Sequence, residues 1–319
     1  MDVSFLTPVA LLFGLLAAVP LAVFVDRRRR ADRIRRAVGL EPGSSRSWPV
    51  LAVSLAAVPV LVGVAAAQPV ITSARTVPQR SDVEVFVVVD TSRSMLASAG
   101  PEEPTRFRRA QQEVIALQEQ LRDIPLGLAS FTDRVLPHLF PTVDQRVFRE
   151  TTREALGVER PPPSTSFGTN VTDLDALGAL PTLAFFKPAT AKRAMVVFTD
   201  GESQATETLS ADFAREPTID VTFVRVGDAS ERIYESGAAE AGYVPIPDAA
   251  GILAAAAAAV EGRVFEEAQV SDVAAAVRTA LGTGPTTPRR IEGNRQALMP
   301  YVALLAIIPL GFVLYRRNL

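Results

Sequence analysis

Val83-Glu84-Val85-Phe86-Val87-Val88-Val89-Asp90-Thr91-Ser92-Arg93-Ser94 is the stretch that decides the fold. Its first seven residues form a nearly continuous apolar, β-branched run closed by an aspartate, as expected of a strand buried on both faces of a parallel sheet. A second run of this kind, Arg193 to Thr199, also stops at an aspartate, Asp200.

Working outward, Phe107, Ala110, Val114, Leu117 and Leu121 recur at helical spacing and predict an amphipathic helix after a loop holding Pro101 and Pro104. Leu126 to Phe131 reads as a second strand, and Val135 to Phe140 as a short one that Pro137 confines to an edge. A helix is expected from about Asp144 to Leu156, and another over 171–186, bent or divided at Pro181. Val221 to Val226 and Val264-Phe265 suit strands; Ile252 to Val260 and the face formed by Val273, Val277 and Leu281 suit helices. Strands alternating with helices over some 200 residues predict a doubly wound, mostly parallel α/β domain. Such sheets bind ligands beyond the carboxyl ends of their strands, where strand order reverses.

The 319 residues are 48% apolar with a mean hydropathy of +0.20, which requires that part of the chain sit in lipid. Three uncharged runs supply that part: 3–25, 48–67 and 297–315, each about long enough to cross a hydrocarbon core of ~30 Å. Segment 26–47 holds Arg27, Arg28, Arg29, Arg30, Arg33, Arg35, Arg36 and Arg46 against three acids, and by the positive-inside rule it is a cytoplasmic loop. The large segment between the second and third runs is then extracytoplasmic. Ala65-Ala66-Ala67 has the small side chains of a cleavage site, although an uncleaved helix is the adopted reading. Residues 68–81 and 284–296, polar and poorly periodic, are read as linkers around an 82–283 domain. Between 76 and 296 there are 22 basic and 31 acidic side chains, a formal −9, so nothing electrostatic favours nucleic acid. The absence of cysteine excludes disulfides, thiolate metal sites and thiol catalysis. The single histidine, His138, argues against a serine triad, and its place on an edge strand suits surface packing.

The chemistry gathers where the two buried strands end. Asp90-Thr91-Ser92-Arg93-Ser94 follows one and Asp200-Gly201-Glu202 the other, with Gly168-Thr169-Asn170 between them at the start of a helix. In an extended turn alternate residues point one way, so Ser92 and Ser94 can meet one cation while Thr91 and Arg93 face elsewhere. Hard oxygen donors of this kind suit Mg²⁺, with Mn²⁺ or Ca²⁺ as substitutes. A serine could instead serve as turn or helix-cap chemistry; it is the ordered combination that favours metal. Glu202 is expected to support the first turn of its own helix.

This D-x-S-x-S, T, D-G order resembles the metal-ion-dependent adhesion site of von Willebrand factor A domains, over roughly 82–283. The resemblance implies hydroxyl ligation by Ser92, Ser94 and Thr169, with Asp90 and Asp200 acting directly or through water, and no catalytic residue. Neutral hydroxyls quench the metal's charge poorly, leaving a position that a partner's Asp or Glu can fill. Two residues depart from the common pattern: Arg93 and Thr172 stand where many relatives have glycine. Two apolar helices, an A domain and a C-terminal helix together resemble BatA-type bacterial membrane proteins, often associated with MoxR-type AAA+ ATPases. That likeness implies a cell-envelope assembly or stress role, with the arginine-rich loop as the surface an ATPase would touch. The competing class is a Mg²⁺-dependent phosphohydrolase with Asp90 as nucleophile, but Ser92 stands where such an enzyme needs its general acid.

Overall fold

The structure, a computed structural model, describes residues 2–39, 48–160, 172–204, 206–214 and 218–317. In chain order the elements begin with β1 (Asp2–Phe5), a 3₁₀ stretch over Pro8–Ala17, α1 (Ala18–Ala37), α2 (Trp48–Ala66), β2 (Pro69–Arg80) and β3 (Val83–Asp90). A 3₁₀ turn at Arg93–Leu96 leads to α3 (Arg106–Gln120), β4 (Leu126–Phe131), β5 (Val135–Thr142) and α4 (Gln145–Glu154). After a 3₁₀ turn at Leu174–Gly178 come α5 (Ala179–Thr182), β6 (Lys192–Thr199), α6 (Leu209–Phe213) and β7 (Ile219–Arg225). The chain closes with the short pair β8 (Tyr234–Glu235) and β9 (Ala238–Ala239), then α7 (Ala249–Ala259), β10 (Arg263–Glu266), α8 (Val270–Leu281), β11 (Thr286–Ala297) and α9 (Met299–Arg317).

Two compact units result, residues 1–76 with 290–319, and residues 77–289. In the first, three helical stretches are long and apolar enough to cross a membrane: Pro8–Ala37, Pro49–Ala66 and Met299–Arg316. Their large side chains, among them Leu12, Phe13, Val53, Leu304 and Ile308, are exposed, as lipid-facing side chains are. The helix α2 packs on α9 and on the Pro8–Ala17 stretch. At the latter contact a Cβ on Gly63 would stand 2.8 Å from the Gly14 backbone nitrogen, so glycine is what permits the two backbones to approach.

Several sequence expectations change here. The 26–47 segment is not simply a loop: α1 runs on through Ala37, because arginine is a good helix former and Arg30–Asp26 and Arg28–Asp32 pair one turn apart at 2.9 and 3.8 Å. The two expected linkers contain strands, β2 and β11, which with β1 form a three-stranded sheet ordered β1-β2-β11. Burial along β2 follows no regular alternation, so its pattern of polar and apolar residues is too faint to read. The helix expected over 171–186 is, among the described residues, only a 3₁₀ turn and the four-residue α5.

The second unit is a six-stranded sheet ordered β10-β7-β6-β3-β4-β5, parallel throughout except for β5, which runs antiparallel to β4. Central β3 alternates between two cores. Val83, Val85, Val87 and Val89 pack with α3, α4 and α8, while Phe86 and Val88 pack with the Leu174–Gly178 turn, α5, α6 and α7. Two buried faces explain the unbroken apolar run. The one interruption, Glu84, is buried with its carboxylate held by the Lys187 ammonium at 2.7 Å and the Lys187 N–H at 2.9 Å. On the adjoining strand a Cβ at Gly127 would lie 2.7 Å from the Phe86 ring, so glycine there makes room for the aromatic, which meets Phe185 and Phe186 edge-on. At the outer margin β5 carries Pro137 and Pro141, and its pairing with β4 shifts register between Leu126 and Ala129.

Strand order reverses at β3: the chain goes to β4 on one side and later returns to β6 on the other. The carboxyl ends of β3 and β6 therefore flank the crevice where this class of sheet binds ligands.

Candidate metal centre

Register brings the two strand-terminal aspartates together. β3 and β6 pair in parallel through Val89 and Phe198, so Asp90 falls level with Thr199 and one residue short of Asp200. Asp90 is fully buried. Its Oδ1 accepts the Ser92 N–H at 2.9 Å, and its Oδ2 accepts the hydroxyls of Thr199 at 2.6 Å and Thr172 at 3.3 Å. Burial, followed by the charge of Asp200, pushes the Asp90 carboxyl up to about 7 against the hydrogen bonds that favour its charged form.

The turn after Asp90 sorts its side chains as an extended segment does. The Ser92 and Ser94 hydroxyls converge to 2.9 Å, whereas the Thr91 hydroxyl donates to the Phe131 carbonyl at 3.3 Å. Arg93 turns outward and pairs with Glu240 at 2.9 Å, so it is an anchored residue and not a free one. Asp200 accepts the Glu202 N–H on Oδ1 at 2.9 Å and the Arg106 guanidinium on Oδ2 at 2.9 Å. Gly201 follows with φ +76°, where a Cβ would lie 2.7 Å from the Ala249 carbonyl oxygen. Thr169, the fifth expected ligand, lies outside the described residues.

Among the described residues no cluster of three or more His, Cys, Asp or Glu could hold a metal. A cation here would have to rely on hydroxyls, and the donors present fit one. Ser92 and Ser94 are both buried, their oxygens meet at one point beside a carboxylate, and each retains a lone pair. A small cavity of about 40 Å³, walled by Arg106, Asp200 and Glu202, has room for a water beside the second aspartate. A larger cavity of about 550 Å³ lies away from these residues, beside Lys192, Ile219 and Leu281.

The sequence offered no signal for the neighbouring charge network. Arg106, at the first position of α3, is 1% exposed, and its guanidinium reaches Asp200, Glu202 and Glu231 at 2.9, 2.7 and 2.7 Å. It also donates to the Tyr243 hydroxyl at 3.1 Å and the Asp228 carbonyl at 2.6 Å. Burial works against its charge, but the three carboxylates more than restore it. Glu202 does not support a helix of its own, since α6 begins only at Leu209; it accepts from Arg106 and from the Tyr243 hydroxyl at 2.7 Å. Burial and the charge of Asp200 raise the Glu202 carboxyl, while the Arg106 and Tyr243 hydrogen bonds oppose that. Gly227, at φ +82°, lets the chain pass this cluster, because a Cβ would meet the Arg106 Nε at 2.5 Å. His138 takes no part in the site; it hydrogen-bonds the Ser130 hydroxyl at 2.8 Å, and burial lowers its pKa.

The Ser92 and Ser94 hydroxyls thus lie at the switch point of a doubly wound sheet, where folds of this class take their ligands. Residues 85–202 match the von Willebrand factor type A domain family, in a chain that also has three helices apolar enough to span a membrane. Among solved structures, the protein BatB from Bacteroides thetaiotaomicron is 20% identical, with a TM-score of 0.52 over 63% of this chain and 100% of that one. That likeness establishes the fold. An aerotolerance-related membrane protein from Bacteroides fragilis is 19% identical, with a TM-score of 0.48 over 62% of this chain and 98% of that one. The manganese-loaded TRAP protein of Plasmodium vivax is 11% identical, with a TM-score of 0.42 over 70% and 83%. No curated protein matches the chain.

Proposed function

We propose that this chain is a membrane-anchored von Willebrand A protein that binds a divalent cation and uses it to hold an acidic side chain of another envelope protein. The observation that carries this reading is the convergence of the Ser92 and Ser94 hydroxyls beside the buried Asp90 carboxylate. Ser92, Ser94 and Thr169 supply neutral oxygens, and Asp90 and Asp200 act directly or through water. Mg²⁺ is the expected ion, with Mn²⁺ or Ca²⁺ able to replace it. Neutral hydroxyls quench the ion's charge poorly, so it stays electrophilic, and a partner's Asp or Glu completes its shell. The helices within 3–25, 48–67 and 297–315 span the membrane, the 82–283 domain is extracytoplasmic, and the arginine-rich 26–47 segment faces the cytoplasm. A MoxR/Bat-type assembly or stress system is the setting that this arrangement fits, with a MoxR-type ATPase meeting the arginine-rich segment.

Recognition is favoured over phosphoryl transfer by the state of Asp90. A phosphohydrolase nucleophile at Asp90 must be free to form a covalent bond and needs an acid two residues on. Asp90 is instead fully buried under hydrogen bonds from Ser92 and Thr199, and the residue two positions on is Ser92, whose hydroxyl meets that of Ser94. The test is crosslinking and capture of the full-length protein from membranes. EDTA and Ser92→Ala should release the same protein, while circular dichroism stays unchanged. If the Ser92→Ala variant retains its whole crosslinking pattern, the metal turn is not the recognition surface.

A further inference from the structure

We propose that Arg106 acts as an internal counter-cation that shares Asp200 with the bound metal and thereby sets how tightly the site holds it. This rests on the metal reading of the Asp90–Ser94 turn. Fully buried arginine is rare unless it is paired, and here the structure is built around the pairing. The backbone N–H of Arg106 donates to the Ala97 carbonyl at 2.8 Å, tying α3 to the end of the metal turn. Its Nη1 gives hydrogen bonds to Asp200 and Glu202, its Nε to Glu231 and its Nη2 to the Asp228 carbonyl. Glu231 is in turn held by Arg109 at 2.6 Å, and Gly227 leaves the space that the guanidinium occupies.

Asp200 is therefore already half-satisfied by a fixed positive charge before any ion arrives. A divalent cation that uses the same carboxylate, directly or through water, meets repulsion from the guanidinium across a site that excludes bulk solvent, where charges act strongly on one another. Loss of alignment at Asp200, the other consequence of removing Arg106, has the opposite sign: it would weaken metal binding or leave it unchanged. Repulsion between a divalent ion and a full charge outweighs the loss of one oriented oxygen. An uncharged residue at 106 should therefore tighten binding even though it destabilises the metal-free fold, because Asp200 and Glu202 would then have the incoming ion as their nearest counter-charge. Arg106 is thus a positioning and tuning residue that does not touch the ion.

The measurement is titration of the full chain in detergent with Mn²⁺, following the loss of the free-ion paramagnetic resonance signal, with Mg²⁺ as competitor. Arg106→Gln should bind Mn²⁺ at least tenfold more tightly, about 1.4 kcal/mol, than the wild type. Arg106→Lys, which keeps the charge, should remain within about threefold. Glu231→Gln removes a negative charge from the other side of the guanidinium and should weaken binding, and this variant decides the matter alone if Arg106→Gln does not fold. Equal or weaker binding by Arg106→Gln, or equal or tighter binding by Glu231→Gln, overturns the proposal while leaving the metal reading intact. Absence of Mn²⁺ binding by the wild type, or binding that survives Ser92→Ala, overturns both.

Discussion

Thr199 shows how much of the Asp90–Ser94 turn is held by a residue that does not belong to it. Its hydroxyl gives the shortest hydrogen bond that Asp90 receives, 2.6 Å, from the last position of the neighbouring strand. Thr199→Val keeps the volume and removes the donor, leaving a buried carboxylate oxygen with only the 3.3 Å contact from Thr172. The expected cost is about 1–3 kcal/mol, read from the midpoint of urea unfolding at constant slope. An unchanged midpoint would mean that the Asp90 carboxyl does not depend on this bond. The grouping of the turn was legible in the sequence because residues of one type at a fixed spacing form a local pattern: the structure brings Asp90, Ser92 and Ser94 into one hydrogen-bonded group with Asp200 on the adjacent strand end, while Thr169 lies outside the described residues. Thr199, Arg106, Glu231 and Tyr243 were not legible, because their partners lie far off in sequence, 94 positions for Arg106 to Asp200.

At the scale of elements, the buried strands and amphipathic helices of the second unit followed from periodicity. The expected strand Leu126–Phe131 and the edge position of the Val135 strand agree with β4 and β5, and Val273, Val277 and Leu281 do line the inner face of α8. Reading failed where burial leaves no period: β2 and β11 mix polar and β-branched residues with no regular alternation of burial, and composition alone does not distinguish such a ribbon from a linker. Over 171–186 the division expected at Pro181 is there, but the helical part is shorter than expected: the Leu174–Gly178 turn runs into α5, which ends at Thr182, one residue past the proline. The fit between β3 and β4 yields a sharper expectation. Gly127→Ala would press its methyl against the Phe86 ring, which is itself in edge contact with Phe185 and Phe186. Overpacking of this kind costs about 1–3 kcal/mol, and thermal unfolding should show it. Phe86→Leu in the same chain should recover part of the loss, and failure to do so would place the strain elsewhere.

For the whole molecule the decisive question is orientation. The arginines of 26–36 continue α1 as a helix, but that leaves the charge asymmetry which sets topology untouched. A tag inserted at residue 40 should be protected in intact spheroplasts, whereas externally added protease should cleave within 77–289. Protection of that unit would reverse the orientation and move the Asp90–Ser94 turn to the cytoplasm. The margin of the sheet bears on what happens when many such domains stand side by side. An open parallel sheet ends in a row of unpaired peptide groups that can recruit another copy, strand upon strand, toward a fibre. β5 meets that hazard with a reversed direction, a slipped register against β4, and two prolines, Pro137 and Pro141, that remove peptide donors. This margin is thereby a poor template for strand-upon-strand addition.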